Sequence, residues 1–205
     1  MRKSAHSKPI TDAGELEAFL ESRANFVAQA SLFGYVRTRT GGKFPLLFDD
    51  EAFAASLNIA RWQIWLACLA DLSVYSGGLI HQRSQAPTAA VGQLIEHAVD
   101  TILSRTGVPQ DAGPEFAAAA VTVRQRIRSC DWTAVRDDES AFTESPAALV
   151  HWAPIVDEFK KLDEKIVRNS VRFRWQEVRR SMRKLLQAET LMHTIPRSEP
   201  LANGD

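Results

Sequence analysis

The longest apolar stretch of the chain runs from about Glu51 to Ser76 and is hydrophobic around its whole circumference. A helix with this pattern is normally buried among other helices. We therefore predict a central buried helix over residues 51–76. Its large apolar side chains are Phe53, Leu57, Ile59, Trp62, Ile64, Trp65, Leu66, Leu69, Leu72 and Val74.

The same stretch is long enough to cross a membrane, since a helix rises about 1.5 Å per residue. Two charged residues within it, Arg61 and Asp71, argue against that alternative. Each would cost about 2.5–3.5 kcal/mol near the centre of a bilayer. Their separation along the chain places them on different sides of the helix, where they cannot neutralise each other. A buried helix is therefore the favoured interpretation.

Capping and stop signals define the first helix and the start of the central one. Asp12 followed by Glu15 is a capping-box pattern and begins the first helix. The glycine pair at 41–42 ends that helix. Asp49 or Asp50 then caps the central helix.

Similar signals predict the helices that follow. Gly77-Gly78 ends the central helix. A third helix fits residues 87–105, and a fourth begins near Pro114. Ser145-Pro146 is a helix-start signal, and a long last helix spans about residues 155–186.

The chain shows neither an alternating strand pattern nor an internal repeat. A length of 205 residues suits one sizeable core better than two. We therefore predict an all-α, single-domain bundle of five or six helices over residues 12–187. The ends, residues 1–11 and 188–205, are predicted to be flexible.

Composition and cysteine spacing narrow the compartment and the chemistry. Apolar residues make up 45% of the chain and charged residues 24%, as in ordinary globular proteins. The N-terminus has basic residues but no apolar signal-peptide core, so we expect a cytoplasmic protein. Cys68 and Cys130 lack CxxC spacing and the histidines lack ligand spacing. We therefore expect no disulfide, metal site or cofactor.

The last helix carries the strongest interaction signal. The net charge of the chain is zero, yet eight Lys or Arg residues and a single acid, Glu177, lie between Lys165 and Lys184. Beside the arginines runs an apolar stripe of Val167, Val171, Trp175, Val178, Met182 and Leu185. We predict that this basic amphipathic helix binds a protein partner. The predicted contact residues are Arg168, Arg172, Trp175, Arg179 and Arg183.

Other interpretations of this helix stay open. Its arginines would also be attracted to an anionic membrane surface or to nucleic-acid phosphates, and the protein partner can be a second copy in a homo-oligomer. Alternatively, the helix is simply packed into the bundle and its arginines pair with acidic residues of the same chain. In that case the residues that bury it are Ile155, Phe159, Leu162, Ile166 and Phe173.

Asp71 is the candidate for an interior polar site, because the helical pattern carries its carboxylate into apolar surroundings. Its candidate partners are Arg37, Arg39 and Arg61. We favour a structural ion pair or helix-end hydrogen bond over a catalytic role. The chain also lacks the Gly-x-Ser-x-Gly pattern of a serine hydrolase. A hydrolase is nevertheless the alternative function, with the catalytic candidates Asp71, Ser76 and His81.

A second candidate site combines aromatic and basic residues. Trp62 and Trp65 on the central helix, with Arg37 and Arg39 near the end of the first, are candidates to line a small-molecule pocket. Two tryptophans at this spacing on an apolar helix are more often core residues. We therefore favour the core interpretation.

The stretches 19–29 (FLESRANFVAQ), 54–73 and 168–178 (RNSVRFRWQEV) resemble a family of uncharacterised proteobacterial proteins, some of which are labelled esterases. They cover about a fifth of the chain. The resemblance implies a small bacterial cytoplasmic protein and brings no catalytic residue to this sequence. We predict a non-enzymatic interaction or accessory protein, with a hydrolase as the alternative.

Overall fold

The computed structural model describes residues 8–194 and is all-α, as predicted. Among the described residues there is no strand, only an isolated bridge between Ile10 and Leu186. A 3₁₀ segment, Gly41–Asp49, joins the first two helices. Within residues 8–194 the seven α-helices are α1 (Ala13–Thr40), α2 (Glu51–Ser84), α3 (Thr88–Thr106), α4 (Phe116–Arg128), α5 (Glu144–Trp152), α6 (Asp157–Leu185) and α7 (Ala188–His193).

Helix α2 lies at the centre of the fold, which confirms the prediction made from its all-round apolar pattern. It packs against α1, α3, α4, α5 and α7, and every residue from 68 to 80 is buried. It is also the one described helix that is long and apolar enough to cross a membrane. However, 89% of its most apolar window is buried inside the protein.

The predicted end of α2 at Gly77-Gly78 is wrong, because the helix continues to Ser84. These glycines serve close packing instead. A Cβ on Gly77 would lie 2.3 Å from Cζ3 of Trp132, and one on Gly78 would lie 2.3 Å from Cγ1 of Val135. The loop between α4 and α5 therefore packs directly on the α2 backbone, which only glycine permits at this distance.

The predicted capping signals are confirmed. Asp12 accepts a hydrogen bond of 2.8 Å from the backbone N–H of Glu15, and Gly41 ends α1 with a φ of 54°. Asp50 accepts hydrogen bonds from the first backbone N–H groups of α2 at 2.9 and 3.1 Å. Local sequence therefore specifies where these helices begin, through the donors that each helix leaves unpaired.

The ordered domain is wider than the predicted range 12–187. The backbone N–H of Ile10 donates to the carbonyl of Leu185 at 2.8 Å, and Ile10 is buried. Helix α7 follows α6 and buries Leu191 against α2. The N-terminal segment of the domain therefore packs against and hydrogen-bonds to its C-terminal segment. Residues 1–7 and 195–205 of the predicted flexible ends lie outside the described residues.

Candidate functional site

Asp71 lies at a buried junction of three helices, and none of its surface is exposed. Its carboxylate accepts a hydrogen bond of 2.6 Å from Nη1 of Arg126 on α4. It accepts two more from Ser145 on α5, at 2.8 Å from the backbone N–H and 2.6 Å from the hydroxyl. The backbone N–H of Glu144 completes the set at 3.1 Å. Asp71 therefore has a charged partner and three neutral donors.

The network extends to α6 through Trp175. The indole N–H of Trp175 donates to the hydroxyl oxygen of Ser145 at 2.9 Å. The second terminal nitrogen of Arg126 donates to the carbonyl of Ala141 at 2.9 Å, in the loop before α5. We call Asp71, Arg126, Ser145 and Trp175 the Asp71 network. It ties α2, α4, α5 and α6 together.

Asp71 also caps α5, because it accepts hydrogen bonds from the first two backbone N–H groups of that helix, those of Glu144 and Ser145. The residue before the helix, Thr143, makes no side-chain capping hydrogen bond. A negative charge at a helix N-terminus interacts favourably with the helix dipole. Burial raises the pKa of Asp71, and the opposing effects of the Arg126 charge and the Ser145 hydrogen bonds keep that increase in check. This is the structural role that the sequence favoured, an ion pair combined with a helix-end hydrogen bond.

The predicted partners of Asp71 are wrong. Arg61 instead pairs with Asp111 at 3.0 Å, and Arg39 pairs with Asp163 on α6. Arg37 is exposed at the end of α1. The actual partner, Arg126, is 55 residues away along the chain. Only the packing of α4 against α2 brings the two together.

The hydrolase candidates do not assemble into a site. Ser76 is fully buried in the interior of α2, and its hydroxyl has no hydrogen-bond partner among the described residues. Nδ1 of His81 lies 3.0 Å from the carbonyl of Ala86. No hydrogen bond joins Asp71, Ser76 and His81 in the described part of the chain, so nothing here activates Ser76 as a nucleophile.

The second candidate group is also divided. Trp65 is a core residue, as favoured, and Trp62 packs edge-on against it with 5.7 Å between ring centroids. Trp62 donates its indole N–H to Asp111 at 2.7 Å. Arg39 faces α6, where its guanidinium lies 4.9 Å from the ring centre of Phe159. The tryptophans and the arginines therefore serve different contacts.

Beside this contact, Tyr35 and Arg39 both hydrogen-bond to Asp163. The Arg39 hydrogen bond holds the pKa of Asp163 below its usual value, and burial raises the pKa of Tyr35 to about 12. An acid with a lowered folded-state pKa stabilises the fold above its unfolded pKa, and this contribution is lost on acidification. We expect Asp163→Asn to flatten the decline in unfolding midpoint as the pH falls from about 5 to values below the ordinary Asp pKa of about 3.9. Urea titrations across this range measure it, and an unchanged pH profile would contradict the assignment.

On α6, the predicted apolar stripe faces the core, and the predicted basic residues have different environments. Trp175 is fully buried, so its prediction as a contact residue is wrong. Arg168 pairs with Glu164 at 2.8 Å, and Arg183 pairs with Asp137 at 3.1 Å. Another predicted contact residue, Arg179, is half-buried.

Arg172 differs from these arginines. It is exposed and has no ion pair among residues 8–194. It is therefore the predicted basic contact that remains most available to a partner.

A second apolar stripe on α6 faces solvent. Leu162, Ile166 and Phe173 are 74%, 71% and 72% exposed, and Phe159 is 46% exposed. We call these four residues the outer stripe. One alternative predicted that the outer stripe and Ile155 bury this helix in the bundle. Of these five residues, only Ile155 packs against the core, and it is half-buried. That alternative is therefore wrong for the outer stripe. It is correct in that α6 packs into the bundle, through its other stripe, and in the pairing of Arg168 and Arg183.

A groove of about 660 Å³ lies between α4 and α5, with α2 as its floor. We call it the α2–α4–α5 groove. Its floor includes Gln63 and Leu66, and Arg126 of the Asp71 network lies in its wall. No site residue predicted from the sequence lines it. Alanine is the most frequent residue of its lining, and alanine gives no pattern signal.

The cysteines and the metal-binding residue types add no site to this part of the chain. Cys68 and Cys130 are free thiols. Among residues 8–194, no group of three or more His, Cys, Asp or Glu residues could hold a metal ion. In comparisons with known proteins, the chain matches no protein-family model, no curated protein and no solved structure.

Proposed function

We propose that this chain is a non-enzymatic cytoplasmic protein that binds a protein partner through the outer stripe of α6. The observation that carries this proposal is the second apolar face of α6. Helical periodicity of about 100° per residue places Ile166 and Trp175 on opposite sides of the helix. Trp175 anchors one side in the core, while the outer stripe exposes four large apolar side chains.

The spacing within the outer stripe fits another helix as the occupant. Phe159, Leu162, Ile166 and Phe173 follow each other at intervals of three, four and seven residues, as a and d positions do in a coiled coil. Contiguous exposed apolar surface of this kind marks interaction sites in folded proteins. An amphipathic helix of a partner protein would bury these side chains along their whole length.

The charges beside the outer stripe favour an acidic partner helix. Arg172 and Arg180 are exposed and form no ion pair among the described residues. The C-terminal half of α6 is predominantly basic, with Glu177 as its acidic exception. Complementary charge would steer the partner and set its direction along the helix.

Photocrosslinking from α6 tests this proposal. A photoreactive residue replacing exposed Asn169, in the middle of the outer stripe, should yield protein adducts of defined mass in native lysate. Leu162→Glu/Ile166→Glu should reduce them at least about tenfold, because central apolar contacts dominate interface energy. Arg172→Glu should reduce the adducts less than Leu162→Glu/Ile166→Glu does. Its effect should be larger at low salt than at high salt, because salt screens the charge.

Val121→Glu is the matched control, since Val121 is an exposed apolar residue on α4. Adducts that persist in Leu162→Glu/Ile166→Glu, or no adducts at all, would refute the proposal. An adduct of twice the chain mass would identify a second copy as the partner. If the chain gives no protein adducts but co-sediments with phosphatidylserine vesicles, the outer stripe binds membranes and the proposal of a protein partner is wrong.

A further inference from the structure

The α2–α4–α5 groove exists because three helices present small side chains to one another. Alanines line it from each side, and Leu66 and Val123 form apolar parts of its surface. A volume of about 660 Å³ is within the range of small-molecule sites, about 300–1,000 Å³. The lining alanines are Ala67, Ala70, Ala119, Ala147 and Ala148.

Gln63 gives this apolar groove one unsatisfied polar group. The side chain is only 4% exposed, and its Nε2 is buried without a hydrogen-bond partner. An unpaired buried amide costs about 1–3 kcal/mol. A ligand group that accepts a hydrogen bond from Nε2 would remove that cost. A carbonyl accepts, and an amide accepts and donates, so either can pair with the Gln63 amide.

The charges around the groove favour a neutral ligand over an anion. Arg126 is the strongest cation in the wall, but its guanidinium is committed to Asp71 at 2.6 Å and to the carbonyl of Ala141 at 2.9 Å. Glu144, also in the wall, adds a negative charge. Aromatic surface is supplied by Trp152, whose ring meets that of His151 edge-on.

We propose that the α2–α4–α5 groove binds an uncharged, largely apolar small molecule whose carbonyl or amide group hydrogen-bonds to Gln63. This site lies on different helices from the outer stripe of α6. It is independent of the proposed protein interaction, and the two proposals can fail separately.

Fluorescence titration with Nile red, a neutral apolar dye with a carbonyl group, tests the groove. The wild-type chain should bind it saturably with one site per chain. Ala119→Leu projects a larger side chain into the groove and should weaken binding at least about tenfold, since Ala119 lines the space that the dye would occupy. Ala118→Leu is the matched control, because Ala118 is the exposed neighbour on the same helix. It should bind like the wild type.

Two further variants separate the sources of the signal. Gln63→Leu keeps the shape of the floor and should weaken dye binding about three- to tenfold, the effect of one lost hydrogen bond. Leu162→Glu/Ile166→Glu should bind normally. Loss of the signal in that variant would place the dye on the outer stripe and overturn the proposal, as would equal binding by Ala119→Leu and Ala118→Leu.

Competition tests the charge of the ligand. Decanamide should displace Nile red at concentrations at least about tenfold lower than decanoate, because the carboxylate would enter a groove with no free cation. If decanoate competes equally well or better, the neutral-ligand assignment is wrong.

Discussion

Replacing Asp71 with alanine should lower the free energy of unfolding by about 3–5 kcal/mol, the range for breaking one partner out of a buried ion pair. The substitution leaves Arg126 without its carboxylate and removes the acceptor for both Ser145 donors. It also deprives α5 of its cap, and Trp175 loses its fixed Ser145 partner. Urea unfolding followed by circular dichroism measures the change through the transition midpoint.

Asp100→Ala is the matched control, because Asp100 also pairs with an α4 arginine, Arg124, at 2.6 Å, but its side chain is 44% exposed. An exposed pair of this kind is worth about 0–1 kcal/mol. Asp71→Asn separates charge from hydrogen bonding: it should be milder than Asp71→Ala, since one amide oxygen can still accept. Equal effects of Asp71→Ala and Asp100→Ala would refute the structural role of the network.

Burial of Asp71 was predictable from sequence, whereas the identity of its partner was not. The helical pattern alone carries Asp71 to an apolar face of α2, and the structure leaves it fully buried. Arg126 and Ser145 become neighbours only when α4 and α5 pack on α2. Such contacts between distant segments depend on the arrangement of helices, which local periodicity does not encode.

The same limit explains the mistake over Trp175. Helix α6 has two apolar stripes, and its periodicity reveals both without saying which one enters the core. The stripe predicted beside the arginines is the buried one, so its largest member became an anchor of the Asp71 network. The outer stripe was assigned to the core alternative and is exposed instead.

The α2–α4–α5 groove was not visible in the sequence for a different reason. Alanine occurs on buried and exposed helix faces alike and strongly favours helix, so it marks neither a core nor a pocket. A groove is a property of small residues that face one another from separate helices. In the sequence, its polar floor residue, Gln63, is an isolated polar position within an apolar helix, and nothing marks it as part of a pocket.

Alanine at Gly77 or Gly78 should destabilise the protein by about 2–3 kcal/mol, the cost of overpacking a tight contact. Intrinsic helix propensity predicts the opposite, a gain of about 1 kcal/mol for glycine to alanine inside a helix. The clash should prevail, because the new methyl groups would lie 2.3 Å from Trp132 and from Val135. Thermal and urea unfolding of Gly77→Ala and Gly78→Ala measure the sign directly.

Gly14→Ala is the control for propensity, since its Cβ would meet only Oδ1 of Asp12 at an ordinary 3.5 Å. It should leave stability unchanged or raise it by less than about 1 kcal/mol. Adding Val135→Gly to Gly78→Ala should recover part of the loss, because it removes Cγ1 and Cβ of Val135, which the new methyl group would meet at 2.3 and 2.4 Å. A stabilising Gly78→Ala would mean that the loop between α4 and α5 moves away without cost. In that case the glycine pair would not be what holds this loop against α2.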